Sequence, residues 1–415
     1  MSVMTAIEPA TSRRHHHFGF WAAAWVFLTV LAFSTVPSPL YVLYAERDHF
    51  SSLMITMIYA AYAVGVIVSL FFASHLSDVH GRRVHLLGAV TLALVSAAMF
   101  IAWPALPGLF VARVLCGMSV GLTVSTATAY LTELHHAHRP EEVTARRPQL
   151  TATIANLGGL GVGALVAGLL AEYEPHPLVL PYVVLLIALV VGAVALLAAP
   201  ETRQRRRPLP TYRPQRVSLP HAARAEYFAG LLVVFVAYAG MAVLIALTGT
   251  FLAEVIHDTS LAMAGLSIFI VIGVGVAFLV ATSAWPARRL LAAGVVLDII
   301  GVALVVVAAW LPTPSLGLFL AGGGVVGAGA SALFKGTLSM VVAISPADKL
   351  GESLAGFFLA GYVGLSLPAI AVGIALEYIS PRTALLAFGV AAMIGILASS
   401  RLLLGAARSS DLSDS

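Results

Sequence analysis

Apolar stretches of about twenty residues recur along this chain, each ended by a short polar segment. A helix needs about 20 apolar residues to cross the hydrocarbon of a bilayer. On that length the pattern predicts twelve spans, at 19–44, 53–74, 84–103, 108–131, 149–171, 180–199, 227–254, 261–283, 290–311, 316–340, 353–376 and 383–404. The longest hydrophilic stretch, 201–226, is rich in Arg and Pro and divides the spans six and six. It has little apolar surface to bury and reads as a linker with a short interfacial helix. The expected organisation is a tail at 1–18, a six-helix bundle at 19–200, a linker at 201–226, a second bundle at 227–404 and a tail at 405–415. The first apolar stretch is too long for a signal-peptide core and shows no clear cleavage site, so it is expected to be a retained first helix.

An even number of spans puts both termini on one side. Of the 23 lysines and arginines, 19 fall in segments on that side, and Arg47 and Arg382 fall opposite; Arg113 and Lys335 lie inside spans. Basic loops stay in the cytoplasm, so both termini are expected there; the short loops and compact tails suggest a bacterial-type inner membrane as the location.

Composition agrees with the pattern. Of 415 residues, 60% are hydrophobic and 10% charged, too little charge to cover the surface of soluble domains. The net charge of +4 is spread over short loops and forms no nucleic-acid surface. Cys116 stands alone and can form no internal disulfide. His15, His16 and His17 follow Arg13 and Arg14 and read as a solvated tail.

The two halves echo each other. Shifted by 206 positions, Arg82, Arg83 and Gly88 meet Arg288, Arg289 and Gly294, while Gly117 and Gly121 meet Gly323 and Gly327. Shifted by 205, the run Gly168 to Tyr173 meets Gly373 to Tyr378, with Gly, Glu and Tyr in register. Repeated halves suit a machine in which one bundle rocks against the other about a site near the midplane. Small residues also recur every fourth position, which lets helices in lipid approach closely. The second span carries Ala61, Gly65, Ser69 and Ala73; the fifth carries Ala155, Gly159, Gly163 and Ala167; the eleventh carries Gly356, Ala360 and Gly364. They read either as generic membrane-helix packing or as smooth contacts between the halves.

Three local motifs stand out. Between the second and third spans lies Ser74-His75-Leu76-Ser77-Asp78-Val79-His80-Gly81-Arg82-Arg83. Gly81 lets the backbone turn where a side chain would obstruct it. The fourth span holds Arg113 followed by Gly117 and Gly121. The fifth holds Gly159, Gly161, Gly163 and Gly168 within ten residues. The loop, the arginine–glycine pattern and the Pro200-Glu201-Thr202 that follows the sixth span resemble signatures of the major facilitator superfamily, the twelve-helix secondary transporters. Ser74 and Val79 depart from the loop form, where that family has a glycine and a basic residue. The fifth-span run resembles that of proton-driven drug exporters in the superfamily, with Ala164 where they carry proline and Ala167 where they carry glycine. The resemblance implies an all-α fold of two pseudo-symmetric six-helix bundles. It implies that Asp78, Gly81, Arg82 and Arg83 act as a conformational latch between helices. It further implies that Arg113 faces the cavity and takes part in proton coupling, and that the contact between halves is lined by the second, fifth, eighth and eleventh helices.

Ionisable groups inside spans cost roughly 2.5–3.5 kcal/mol on insertion scales, so each needs a reason. Arg113 could hold a nearby group charged, contact an anionic substrate, or serve as a structural arginine bonded to carbonyls. Asp298, in the ninth span, is a candidate proton carrier or a structural, paired aspartate. Lys335 can snorkel to the nearby interface. Polar and aromatic candidates for the substrate cavity are Tyr41, Tyr62, Asn156, Tyr238 and Thr248, joined by Tyr59. Pro37 and Pro39 remove backbone donors and should bend the first helix, freeing carbonyls beside Ser34 and Thr35.

An enzyme would need loops that hold nucleophiles, paired carboxylates or a metal triad, and these loops are short. His135, His136 and His138 with Glu133, Glu141 and Glu142 read as a solvated loop, not a metal site. No Gly-Lys-Ser/Thr phosphate loop is present, so ATP is not the expected energy source. The expectation is a secondary transporter without cofactor or metal, functional as a monomer in the bilayer, and taking no nucleic acid. It would export small organic or drug-like molecules against proton influx; the alternative is a proton-linked metabolite importer.

Overall fold

The computed structural model describes residues 10–73, 77–139, 141, 146–203, 223–346 and 349–413. Twelve of its helices are long and apolar enough to cross a membrane. They are Arg14–Asp48, Ser52–Phe72, Arg82–Ala102, Leu106–His138, Arg147–Tyr173, Leu180–Leu197, Arg224–Ile256, Leu261–Ala281, Ala287–Trp310, Leu316–Ile344, Leu350–Leu376 and Pro381–Leu402, here the first to twelfth spans. Hydropathy sets each of them, and local chemistry trims the ends. Ser51, Ser260 and Ser315 cap the second, eighth and tenth spans through their hydroxyls.

Within the first half the first span packs on the fourth, fifth and sixth, and the fourth packs on the second and third. The second half repeats the scheme: the seventh packs on the tenth, eleventh and twelfth, and the tenth on the eighth and ninth. The halves meet along two long seams, fifth against eighth and second against eleventh, with smaller contacts of the first and second spans on the seventh.

The glycine stripes correct one expectation. Most of them close helix pairs inside a half, not the boundary between halves. A Cβ on Gly65 would strike the Val114 carbonyl of the fourth span, and one on Gly117 the Tyr62 carbonyl of the second. Gly159 and Gly163 lie on the Leu28 and Ala32 carbonyls of the first span, and Gly364 lies on Phe235 of the seventh. The glycines that pack across the halves are Gly161, Gly168, Gly249, Gly265 and Gly373. All five sit from the middle of the molecule towards the end away from the termini. A four-residue period brings two backbones close, but it does not say which neighbour is met.

Two histidine clusters are also corrected. His135, His136 and His138 lie on the last turns of the fourth span, not in a loop, because that helix continues to His138. His135 is buried. His15, His16 and His17 belong to the first helix, Ala10–Thr35, and His15 Nε2 lies 2.6 Å from the Ala198 carbonyl. The interfacial helix expected in 201–226 falls largely outside the described residues.

Candidate functional site

The first span breaks at Val36, between helices Ala10–Thr35 and Pro37–Asp48. Pro37 and Pro39 cannot donate to the carbonyls a turn before them, and a helix end leaves its last carbonyls unsatisfied. Four carbonyls around the break accept from other donors. The Phe33 carbonyl accepts from Val36 N at 3.2 Å, and the Leu31 and Ala32 carbonyls accept from the Ser34 and Thr35 hydroxyls at 2.7 and 3.1 Å. Thr35 also donates to the Leu160 carbonyl of the fifth span at 2.6 Å. The Ser34 carbonyl accepts from Arg113 Nη1 at 2.7 Å.

Arg113 is 1% exposed. Its guanidinium lies 4.8 Å from the Tyr62 ring centroid and 6.0 Å from that of Tyr59, within cation–π reach. No carboxylate pairs with it among the described residues. Arg113 Nε and the Tyr41 hydroxyl, both buried, have no hydrogen-bond partner among the described residues. Above this group Tyr44 donates to Tyr182 at 3.2 Å, and Tyr182 stacks on Phe100 at 4.7 Å. A buried cation with unused donors, ringed by tyrosines at a helix break, can bind a solute that offers hydrogen-bond acceptors and an apolar body.

The other candidates fall elsewhere. Asn156 is half-buried and sits in a π-turn, Ile154–Gly158, inside the fifth span. Such bulges often mark functional positions, and nothing in the residue pattern announced this one. Tyr238 stacks on Phe334 at 5.4 Å in the second half. The Thr248 hydroxyl turns back to the Leu244 carbonyl of its own helix. Asp298 is 1% exposed, with Oδ1 unpartnered among the described residues, and Gly329 of the tenth span presses on its backbone. Its span packs on the seventh, tenth and twelfth. Lys335 reaches the Ser283 carbonyl at 3.4 Å, as a snorkelling side chain would.

The loop motif forms a clamp at the end that holds the termini. Gly81 has φ of 106°, a conformation that L side chains rarely adopt, and a Cβ there would meet Glu201 Oε2 at 2.5 Å. Glu201 accepts from the backbone N–H groups of Arg82 and Arg83 at 2.8 and 3.1 Å, so an acid caps the third span. Arg82 donates to Ser77 at 2.8 Å and to Glu133 of the fourth span at 3.2 Å. Glu133 also accepts from Thr202 at 2.5 Å and Arg203 at 3.1 Å. Arg83 donates to the Leu197 and Ala199 carbonyls at 3.3 and 2.9 Å, and Tyr130 to that of Pro200 at 2.5 Å. Among the described residues these partners belong to the first half or to the start of the linker that follows it, and none to the second half. The Asp78 side chain lies outside the described residues. Residue patterns missed Glu133, Glu201, Tyr130 and Arg203; the Pro200-Glu201-Thr202 element was the signal that pointed near them.

At the opposite end two acids bridge the halves. Glu172, closing the fifth span, accepts from Leu261 N at 2.7 Å, and Glu377, closing the eleventh, accepts from Leu53 N at 3.4 Å. Among the described residues no group of three or more His, Cys, Asp or Glu is placed to hold a metal ion.

Comparison with known proteins gives three findings. The family model described as Major Facilitator Superfamily matches residues 22–311. A curated relative, D-xylose-proton symporter-like 1 of Arabidopsis thaliana, is 27% identical over 140 residues, which is 33% of this chain and 27% of that protein. Among solved structures, the nucleoside transporter NupG superposes with a TM-score of 0.73 at 13% identity, over 93% of this chain and 99% of that one. The peptide transporter POT also gives 0.73, at 14% identity, over 95% and 94%. At such identities the solved structures speak for the fold alone.

Proposed function

This chain belongs to the major facilitator superfamily, and from that premise we propose that it exports small organic or drug-like molecules by alternating access, driven by proton influx. The observation that carries the reading is Arg113, fully buried and bonded to the broken first span, with Tyr41, Tyr59 and Tyr62 around it. A charge buried at a helix break has a functional explanation more readily than a packing one. Its tyrosine surroundings suit an amphipathic solute that can stack and accept hydrogen bonds. The acids Glu172 and Glu377, together with Gly168 and Gly373, hold the halves together at one end. That arrangement supports a conformer whose path opens at the other end.

The basic loops argue for cytoplasmic termini, so the open path would face the cytoplasm, and the short loops and compact tails suit a bacterial-type inner membrane. The linker 201–226 would join bundles 19–200 and 227–404, the monomer being the working unit. Export is favoured by the fifth-span run Gly159 to Gly168, which resembles that of proton-driven exporters; its Gly159 and Gly163 seat on first-span carbonyls near the break, while Gly161 and Gly168 face the eighth span. Proton-linked import of a metabolite is the second reading, favoured by the partial match to a symporter-like protein.

Inverted membrane vesicles test both. Export predicts that an amphipathic dye accumulates inside acid-loaded vesicles and that its addition discharges the gradient. Accumulation of a metabolite in right-side-out vesicles with acid outside, and no dye transport in inverted ones, would reverse the direction.

A further inference from the structure

At the terminal end of the first half, a cavity of about 260 Å³ opens between the first, fourth and fifth spans. It is separate from Arg113 and from the Arg82–Glu133 clamp. Apart from the neutral hydroxyl of Thr151, its polar lining is basic or titratable: His17 from the first span, His135, His138 and Arg139 from the end of the fourth, and Arg147 from the start of the fifth. Among the described residues no acid lines it. The nearest acid on the fourth span, Glu133, is engaged by Arg82, Arg203 and Thr202, and Glu141 stands exposed on the connecting segment. His17 and His138 lie ring to ring at 4.8 Å, which places two imidazoles on one wall. The remaining lining is apolar, and its rim faces outward: Trp21 is 56% and Leu150 41% exposed.

We infer that this cavity is a binding site for the phosphate headgroup of an anionic phospholipid. Two guanidiniums supply forked donors of the geometry phosphate oxygens take, and the imidazoles add ring N–H donors. Basic pockets between spans at a membrane–water interface hold such headgroups. The exposed indole and leucine at the mouth would lie against the acyl chains, at the depth where tryptophan is favoured. A soluble phosphate would gain nothing from that apolar rim, which is why a lipid is the assigned occupant. The volume lies near the small end of ligand pockets, enough for a headgroup. The site requires only that this end of the bundle meets an interface, so it stands for either direction of transport and either leaflet.

The test uses the full chain in nanodiscs of phosphatidylcholine carrying a minor fraction of spin-labelled phosphatidylglycerol. Each arginine near a membrane surface is worth about a factor of five in affinity for anionic lipid. The Arg139→Ala/Arg147→Ala variant should therefore lose roughly twentyfold in immobilised label. The control is Arg288→Ala/Arg401→Ala, which removes two exposed arginines from the same end outside the cavity. Thermal melting establishes that both variants fold, and Trp21→Ala gives a second, charge-neutral reading that should weaken binding. The inference is overturned if the control loses as much label as the cavity variant, since general surface charge then explains the effect. It is overturned equally if millimolar inorganic phosphate displaces the label, because the site then belongs to a soluble anion. Dye transport in vesicles is read separately, so failure of the proposed export leaves this result intact.

Discussion

The carboxylate of Glu172 accepts the backbone N–H of Leu261 at 2.7 Å, and 205 positions along the chain Glu377 does the same for Leu53 at 3.4 Å. Each acid ends a span of one half and caps the first turn of a span in the other half. The N-terminus of a helix carries partial positive charge and unsatisfied N–H groups, so each contact is a charge-assisted bond across the boundary. Gly168 lies on the Leu261 carbonyl and Gly373 on Thr56, so the helices approach closely where the bonds form. Internal repetition has placed two matching fasteners at one end.

Removing both fasteners should favour the conformer open at that end. A helix N-terminus stabilises an adjacent carboxylate by 0.3–1 kcal/mol, so the pair contributes about 0.6–2 kcal/mol, roughly a three- to thirtyfold change in population. The Glu172→Gln/Glu377→Gln variant can be read through Val42→Cys, whose native side chain packs on Gly249 across the halves. In a Cys116→Ser background, thiol labelling at position 42 should accelerate by that factor. An unchanged rate means that the apolar seams alone close this end.

Arg113→Ala should abolish transport and leave membrane insertion intact. A hydrogen bond from a charged donor contributes about 1.5–3 kcal/mol, so losing the Ser34 contact alone predicts a ten- to hundredfold fall in rate. Insertion should not suffer, since removing an arginine relieves a cost of roughly 2.5–3.5 kcal/mol. Arg113→Lys separates charge from geometry: an ammonium has no planar fork to reach the carbonyl and face the Tyr62 ring together. Full transport by the alanine variant in vesicles would remove Arg113 from the mechanism.

Much of this architecture was legible because membrane spans obey a strong, one-dimensional rule. The eighth span was expected at 261–283 and is Leu261–Ala281; the eleventh was expected at 353–376 and is Leu350–Leu376. The first-span break followed from Pro37 and Pro39, and Arg113 stood out because charge is rare in apolar sequence. What sequence hid was partnership. Glu133 and Glu201 look like ordinary interfacial acids until folding brings them to Arg82 and Gly81, 51 and about 120 positions away. The glycine period was visible, yet the neighbour that each glycine meets depends on helix rotation, which periodicity in lipid does not fix. The histidines at 135–138 were misplaced because the fourth helix runs on beyond its apolar part, where hydropathy loses sight of it.

Gly163→Val and Gly88→Ala should behave oppositely. A Cβ at Gly163 would overlap the Ala32 backbone of the first span, so the fifth span must move away from the break. That separation should cost the variant both thermal stability and transport. At Gly88 a Cβ meets nothing within 4 Å, and alanine in a helix interior is worth 0.5–1 kcal/mol over glycine. Melting of the two purified proteins checks the pair: a lower midpoint for the first, an equal or higher one for the second.

The clamp gives the last prediction. Glu133 gathers Arg82, Arg203 and Thr202, and the Arg82 side chain is only 7% exposed. Glu133→Gln keeps the shape and removes the charge, leaving a largely buried guanidinium short of its carboxylate. Breaking a buried pair costs about 3–5 kcal/mol, but Glu133 is partly solvated and Arg203 more so, which lowers the expected loss to about 1–3 kcal/mol. Truncating Arg203 instead should cost under about 1 kcal/mol, as an exposed partner does. Because no described partner lies in the second half, the Glu133 variant should destabilise the first bundle and its junction with the linker without shifting thiol labelling at position 42. A large change in that labelling would mean that the clamp governs the balance between the two conformers, and not only the integrity of one bundle.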